Sequence, residues 1–312
     1  MTTFYNLRRI WVAVFLAVAM VSSFTAQTAP AAVTTKPQET APAMDAREIV
    51  RRSAEVDNRN WEKARNYTCQ EREVEKKLDK NGAVKSTETR TNDITFYYGQ
   101  EYSRLIQKND QPLTDKEQKK EEEKLNKFME KYKNESDNDR QKRLAKQEKE
   151  RREGRAFLQD VVNAYDFQLL GEEKVAGLEA YVIMATPRKG FHPTQPHADL
   201  LSKVKGKLWI DKKEYNWVKA EVEVIDTISF GLFIARIHKG SRLSFEQAHV
   251  NNEVWLTHKF FVRGGARLAL FMNENFEEED TFSNYKRFTT SVRILPDIKE
   301  SAPEPGKPAP PK

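Results

Sequence analysis

Residues 191–200 read FHPTQPHADL, and His192, His197 and Asp199 within them are the densest set of metal-capable donors in the chain. Two imidazoles and a carboxylate can hold a divalent cation. Here Pro193 and Pro196 constrain the backbone between them and no third histidine is close in sequence, so the stretch reads as a loop without a metal. His238, His249 and His258 are scattered over candidate strands and turns. Ser229 and Ser241 stand in no G-x-S-x-G elbow, and neither H-E-x-x-H nor a phosphate-binding G-x-x-x-x-G-K-[ST] occurs. Glu221 and Glu223 alternate with apolar neighbours and so read as solvent-facing. A catalytic carboxyl would need an apolar pocket to raise its pKa. Gly171-Glu172-Glu173 reads as a hairpin turn and not as a phosphate cradle. Cys69, the single cysteine, lies in a candidate strand and reads as a small buried hydrophobe. With one cysteine there is no internal disulfide, and stability must come from packing. These residues give no catalytic set and no cofactor site, and the chain reads as non-enzymatic.

The elements that would position any site are easier to read. In 205–225, Val218, Ala220, Val222 and Val224 alternate with Lys219, Glu221 and Glu223, the period of a strand with one buried and one wet face. A shorter strand at 206–210 precedes it across a polar turn at 211–214. A helix is expected over 45–65, with Asp45 as its cap and Glu48 as a capping-box partner. Strands follow at 67–78 and 84–90 around Asn81-Gly82, a dipeptide that accepts the positive φ of a tight hairpin. Others are expected at 94–98, 102–107, 167–170, 178–186, 227–237, 242–250, 254–263, 267–272 and 281–294. Gly264-Gly265 reads as a tight turn and 277–280 as an acidic loop. Nothing alternates strand with helix, so the sheet is antiparallel and curls.

Between them, Thr114 and Glu117 form a second capping box at the head of a charged insertion, 112–156. Residues 115–155 hold 15 basic and 12 acidic side chains. The thin stripe of Leu125, Phe128, Met129 and Tyr132, broken at 134–139, reads as two solvated helices. From Phe157 to Tyr165 the apolar face is restored and the second helix meets the core.

The ends bound location. Arg8 and Arg9 precede an apolar run at 10–24 of about fifteen residues, short of a spanning helix, and small residues follow. Residues 1–31 therefore read as a signal peptide cleaved near Ala26 to Ala31, and the chain as exported to the periplasm. Residues 32–44 read as a Pro/Ala/Thr linker and 298–312 as a disordered Pro-rich tail, which leaves one folded domain, 45–297. The chain of 312 residues has 53 Lys and Arg against 47 Asp and Glu. So small a surplus spread over so many charges excludes a nucleic-acid groove and implies at most a peripheral contact with a membrane.

The aromatics Trp209, Trp217, Phe230, Phe233, Trp255, Phe260, Phe261 and Phe271 exceed what a small, helix-covered sheet needs. The order helix, Asn-Gly hairpin, charged insertion, then FQLLGEEKVAGLEAYV at 167–182 and GKLWIDK at 206–212, resembles the periplasmic lipoprotein carriers. These are the LolA-like superfamily, particularly its outer membrane lipoprotein-sorting relatives, and the likeness is clearest over 167–263. The resemblance implies an α+β fold: a curved antiparallel sheet, or unclosed β-barrel, with helices on its concave side. It also implies a cavity for lipid or lipoprotein acyl chains, bordered here by Trp209, Val218, Ala220, Val222, Leu256 and Phe260. The parity of Trp209 is opposite to that of Leu208 and Ile210, so alternation leaves its facing open. The long insertion and the Pro-rich tail depart from the carriers. Two functions remain open: a binding protein or chaperone for acyl chains, or an envelope interaction or sensor module with a filled core whose charged helices contact other proteins.

Overall fold

The computed structural model describes residues 45–195, 197–230, 235–268 and 272–288. The expected signal peptide, linker and tail lie outside these residues, as do Phe233, Phe271 and the expected strand positions beyond 288. The order of elements is α1 (Ala46–Ala64), β1 (Tyr67–Leu78), β2 (Val84–Tyr97), β3 (Gln100–Lys108), β4 (Gln111–Pro112), α2 (Asp115–Lys133), α3 (Asp137–Ala164), β5 (Tyr165–Val175) and β6 (Leu178–Pro187). A 3-10 helix (Ala198–Lys203) follows, then β7 (Val204–Asp211), β8 (Trp217–Val224), β9 (Ile228–Phe230), β10 (Ala235–Ile237), β11 (Arg242–Val250), β12 (Val254–Leu268) and β13 (Met272–Arg287).

Among the described residues the strands form one antiparallel sheet in the order β4-β3-β2-β1-β13-β12-β11-β8-β7-β6-β5, with β9 and β10 branching from β12. The two ends of this path, β4 and β5, are not paired with each other, so the barrel is unclosed. Helices α1 and α3 cover one face: Ile49 and Val50 of α1 and Val162 of α3 pack with Tyr181, Ile183, Leu208, Ile210 and Ala220 of the strands. No helix among the described residues is long and apolar enough to cross a membrane.

Local chemistry explains most boundaries. Asp79 accepts from the backbone N–H groups of Asn81 and Ala83 while Gly82 takes φ +83°, which closes the β1–β2 hairpin. Thr114 and Glu117 form the expected capping box on α2, and Ser136 caps α3 after the Asn134 break. At the start of α1 Asp45 accepts from Arg47 N–H. Glu48 pairs with Arg51 and Arg52 instead of closing a box, and these two guanidiniums hold its carboxyl at about 2.

Several expectations fail for physical reasons. Gly171-Glu172-Glu173 is not a turn but part of β5, paired with Val182, Tyr181 and Ala180 beyond a register shift, and the chain turns instead at Ala176 and Gly177, both at positive φ. β2 runs unbroken through 91–93, paired with both β1 and β3. Gly264 and Gly265 are not a turn but the middle of β12, opposite Phe276 and Asn275. A Cβ at Gly264 would lie 2.3 Å from Ser241 Oγ, and one at Gly265 2.7 Å from His238 Nδ1; these glycines admit a close neighbour. The acidic run 277–280 is not a loop but part of β13. There Glu277 pairs with Lys76 and Arg263, and Glu279 with Lys259, so cross-strand cations offset the run of charge.

A candidate apolar binding site

A cavity of about 80 Å³ lies beneath the helix-covered face of β5–β8. A single water needs roughly 10–15 Å³, so the space is several times that minimum. Its walls are Val161 of α3, Tyr165 and Phe167 of β5, Ala185 of β6, Leu200 and Leu201 of the 3-10 helix, and Val204, Lys205, Gly206 and Leu208 of β7. Trp217, Ala220, Val222 and Val224 of β8, Ile228 of β9, Ile237 of β10 and Leu243 of β11 complete them.

The hollow follows from residue size in register. Ala185 pairs with Gly206, Gly206 with Val222, and Leu208 with Ala220. Small residues therefore meet where Ile183 and Leu208 fill the adjacent positions. The backbone of Gly206 does not need glycine for its φ, and a Cβ there would lie 3.3 Å from the Glu221 carbonyl and 3.7 Å from Val222 Cγ2.

The wall's polar atoms are turned into the protein. Tyr165 donates its hydroxyl to the Leu201 carbonyl at 2.9 Å, and burial pushes its phenol up. Trp217 Nε1 donates to Ser53 Oγ at 2.9 Å, and Ser53 donates in turn to the Val50 carbonyl at 2.7 Å. The one charged residue in the wall, Lys205, pairs with Glu223 at 3.1 Å. An apolar group entering the cavity meets carbon and no unsatisfied hydrogen-bonding atom of these residues, the arrangement that favours an apolar ligand over water.

The expected site residues are divided. Ala220 and Val222 line the cavity, with Val224 beside them. Phe260 belongs to the surrounding core cluster with Val224, Leu243 and Val262 but is not in the wall. Val218 and Trp209 pack instead with Ala180, Val182 and Trp255 in a separate cluster. Their displacement comes from a β-bulge: Trp209 pairs with Lys219 but Ile210 with Trp217, so Val218 is the extra residue and the alternation reverses across it. Trp217 thereby joins the cavity wall. Trp209 stands in phase with Lys207 and Lys219, which lie over its ring at 4.5 and 5.0 Å, and its Nε1 donates to Glu173 at 2.8 Å. Leu256 lies past a register shift in the β11–β12 pair and packs with Tyr67 and Val254.

Sequence reasoning did not place Val161, Tyr165, Leu200 and Leu201 at a site. The apolar face from Phe157 to Tyr165 carried a signal for the first two, whereas Leu200 and Leu201 follow a Pro-rich loop. That loop is anchored by the buried Asp160, which accepts from Thr194 N–H, Thr194 Oγ and Gln195 N–H at 2.7–2.9 Å. Among the described residues no three His, Cys, Asp or Glu side chains come together as a metal site.

No family model and no curated protein matches the chain. Among solved structures it is similar to a DUF1329 family protein from Desulfovibrio piger, at 13% identity and TM-score 0.31 over 79% of this chain and 93% of that one. It is similar to a putative outer membrane lipoprotein-sorting protein domain from Vibrio parahaemolyticus, at 12% identity and TM-score 0.32 over 78% and 95%. A LolA superfamily protein from Nitrosomonas europaea matches at 13% identity and TM-score 0.28 over 82% and 96%.

Proposed function

We propose that this chain is a non-catalytic binding protein of the cell envelope that takes up an apolar chain, from a lipid or a lipoprotein, in the cavity under α3 and the 3-10 helix. The observation that carries this reading is the cavity wall: sixteen apolar or glycine residues and one lysine, with the Tyr165 and Trp217 polar atoms already bonded within the protein. Moving methylenes from water into such a wall gains about 0.8 kcal/mol each. A volume of about 80 Å³ suits a short stretch of one chain, since a dry cavity of roughly 150 Å³ takes up a benzene ring. A longer chain must displace Leu200 and Leu201 or shift the helices.

The reading includes export through a cleaved signal peptide near Ala26 to Ala31. It also takes Trp209, Val218, Leu256 and Phe260, with Ala220 and Val222, as residues whose replacement alters the cavity directly or through the sheet.

A second reading has support of its own. Ile49, Val50 and Val162 fill the sheet face beside the cavity, as in a module that binds protein partners through its surface and not cargo in its core. Native mass spectrometry of the protein purified from envelope fractions separates the two. A co-purifying mass of one acyl-chain lipid, released by mild organic extraction, is expected for the carrier. Bare protein, with no adduct after incubation with a fluorescent fatty acid, overturns it.

A further inference from the structure

Helix α1 is tied to the body by polar contacts at three levels. Near its start Arg47 donates to the Val162 carbonyl at 2.5 Å and to the Tyr165 carbonyl at 2.8 Å. Midway, Ser53 accepts from Trp217. Near its end Asn60 both donates to the Trp255 carbonyl and accepts from its N–H, each at 2.7 Å. Asp57 falls between the last two, one turn beyond Ser53 on the same face. It is 7% exposed, and its Oδ2 has no hydrogen-bond partner.

An ionised carboxylate held this way loses hydration at that oxygen with no hydrogen bond in exchange. The elements packed against α1 turn apolar side chains to it: Leu169 of β5, Ile210 of β7, Leu256 of β12 and Val162 of α3. Of the titratable groups on those elements, Asp160 holds Thr194 and Gln195, Tyr165 donates to Leu201, Asp211 accepts from the Lys213 and Glu214 N–H groups, Arg151 pairs with Glu62 of α1 and with Glu148, and His258 is exposed. Burial alone pushes the Asp57 carboxyl up to about 8. The folded-state pKa thus lies above the ordinary carboxylate value. Docking of α1 is therefore strongest at acid pH, weakens as pH rises past that ordinary value, and loses this contribution as pH passes through about 8.

We propose that Asp57 is a proton-operated latch: protonated, it lets the second half of α1 close on the sheet; ionised, it releases that half and, through Ser53 and Trp217, loosens one wall of the cavity. The latch is a property of α1 and holds whatever the cavity carries.

The test is hydrogen exchange followed by mass spectrometry on the full chain without added lipid, corrected for the intrinsic pH dependence of exchange. Protection of the amides of 54–64 should be flat below the ordinary carboxylate range, fall by up to about tenfold per pH unit from there to about 8, and level off above it, while β6 and β7 stay protected. Asp57→Asn, nearly isosteric, should abolish the fall, and Asp57→Leu, which cannot hydrogen-bond, should do the same. A flat profile in the unaltered protein overturns the latch, and so does an equal fall in the unaltered protein and the Asp57→Asn variant. The first criterion needs no variant to fold.

Discussion

One sheet face carries two chemistries. Over β6–β8 the helix-facing positions are Ile183, Ala185, Gly206, Leu208, Ala220 and Val222, and where the small ones meet a cavity remains. Over β1, β2 and β13, positions in register with the same core present carboxylates. Phe260 pairs with Asp280, Asp280 with Glu73 and Glu73 with Arg90, while Val262 pairs with Glu278 and Glu278 with Glu75. Glu71, Glu73 and Asp280 are buried. Asn92 donates to Glu71 at 3.3 Å and Arg90 to Glu73 at 3.4 Å, while burial raises the pKa of Glu75. The same backbone period thus builds a region held by apolar burial, whose cost of change follows volume, and a region where carboxylates meet cations and amides, whose cost of change follows charge.

The widest separation should come from removing bulk in the apolar half. Ile183 is fully buried, and Ile183→Ala should cost about 2–5 kcal/mol in urea unfolding, by the same amount at low and high salt. A marked salt dependence there would dissolve the distinction. In the charged half Arg90→Ala should cost about 1–2 kcal/mol, less than a fully buried pair because the guanidinium is one-third exposed. Its cost should shrink when Glu73 is also changed to Gln, which a double-mutant cycle measures.

Filling the void sharpens the comparison from the other side. Ala220→Val should change stability by less than about 1 kcal/mol, because the added methyls enter existing space. A loss of several kcal/mol in thermal unfolding would mean that the space is not there. The smallest effect belongs to the charged insertion: Lys149 pairs with Glu153 at 3.6 Å with both side chains exposed, and Lys149→Ala should stay within about 0.5 kcal/mol.

Much of this was legible in the chain. Alternation placed Ala220, Val222 and Val224 correctly, Asn81-Gly82 closed its hairpin, and Thr114 and Glu117 opened their helix. Reading failed where a single residue acts at long range. The bulge at Val218 has no mark in sequence, and it exchanges Trp217 for Val218 on the helix-covered face. Gly264 and Gly265 look like a turn because their reason, Ser241 and His238, lies on a distant segment. The acidic run 277–280 looks like a loop because its cations come from Lys76, Lys259 and Arg263 on neighbouring strands. Asp57 did leave a sign, an acid four residues after Ser53 on the apolar face of the first helix. The resemblance implied a cavity, but its place and size were not legible in the residues, because they depend on Ala185, Gly206 and Ala220 meeting across three strands.

The most direct measurement is a stoichiometric titration of delipidated protein with a fluorescent fatty acid, run beside Ala220→Ile. Expected is saturable uptake of one equivalent, with an environment-shifted emission, lost at least tenfold in the filled variant while its unfolding transition is kept. Binding of equal strength in both proteins, or none in either, would contradict an apolar chain seated between β8 and the 3-10 helix.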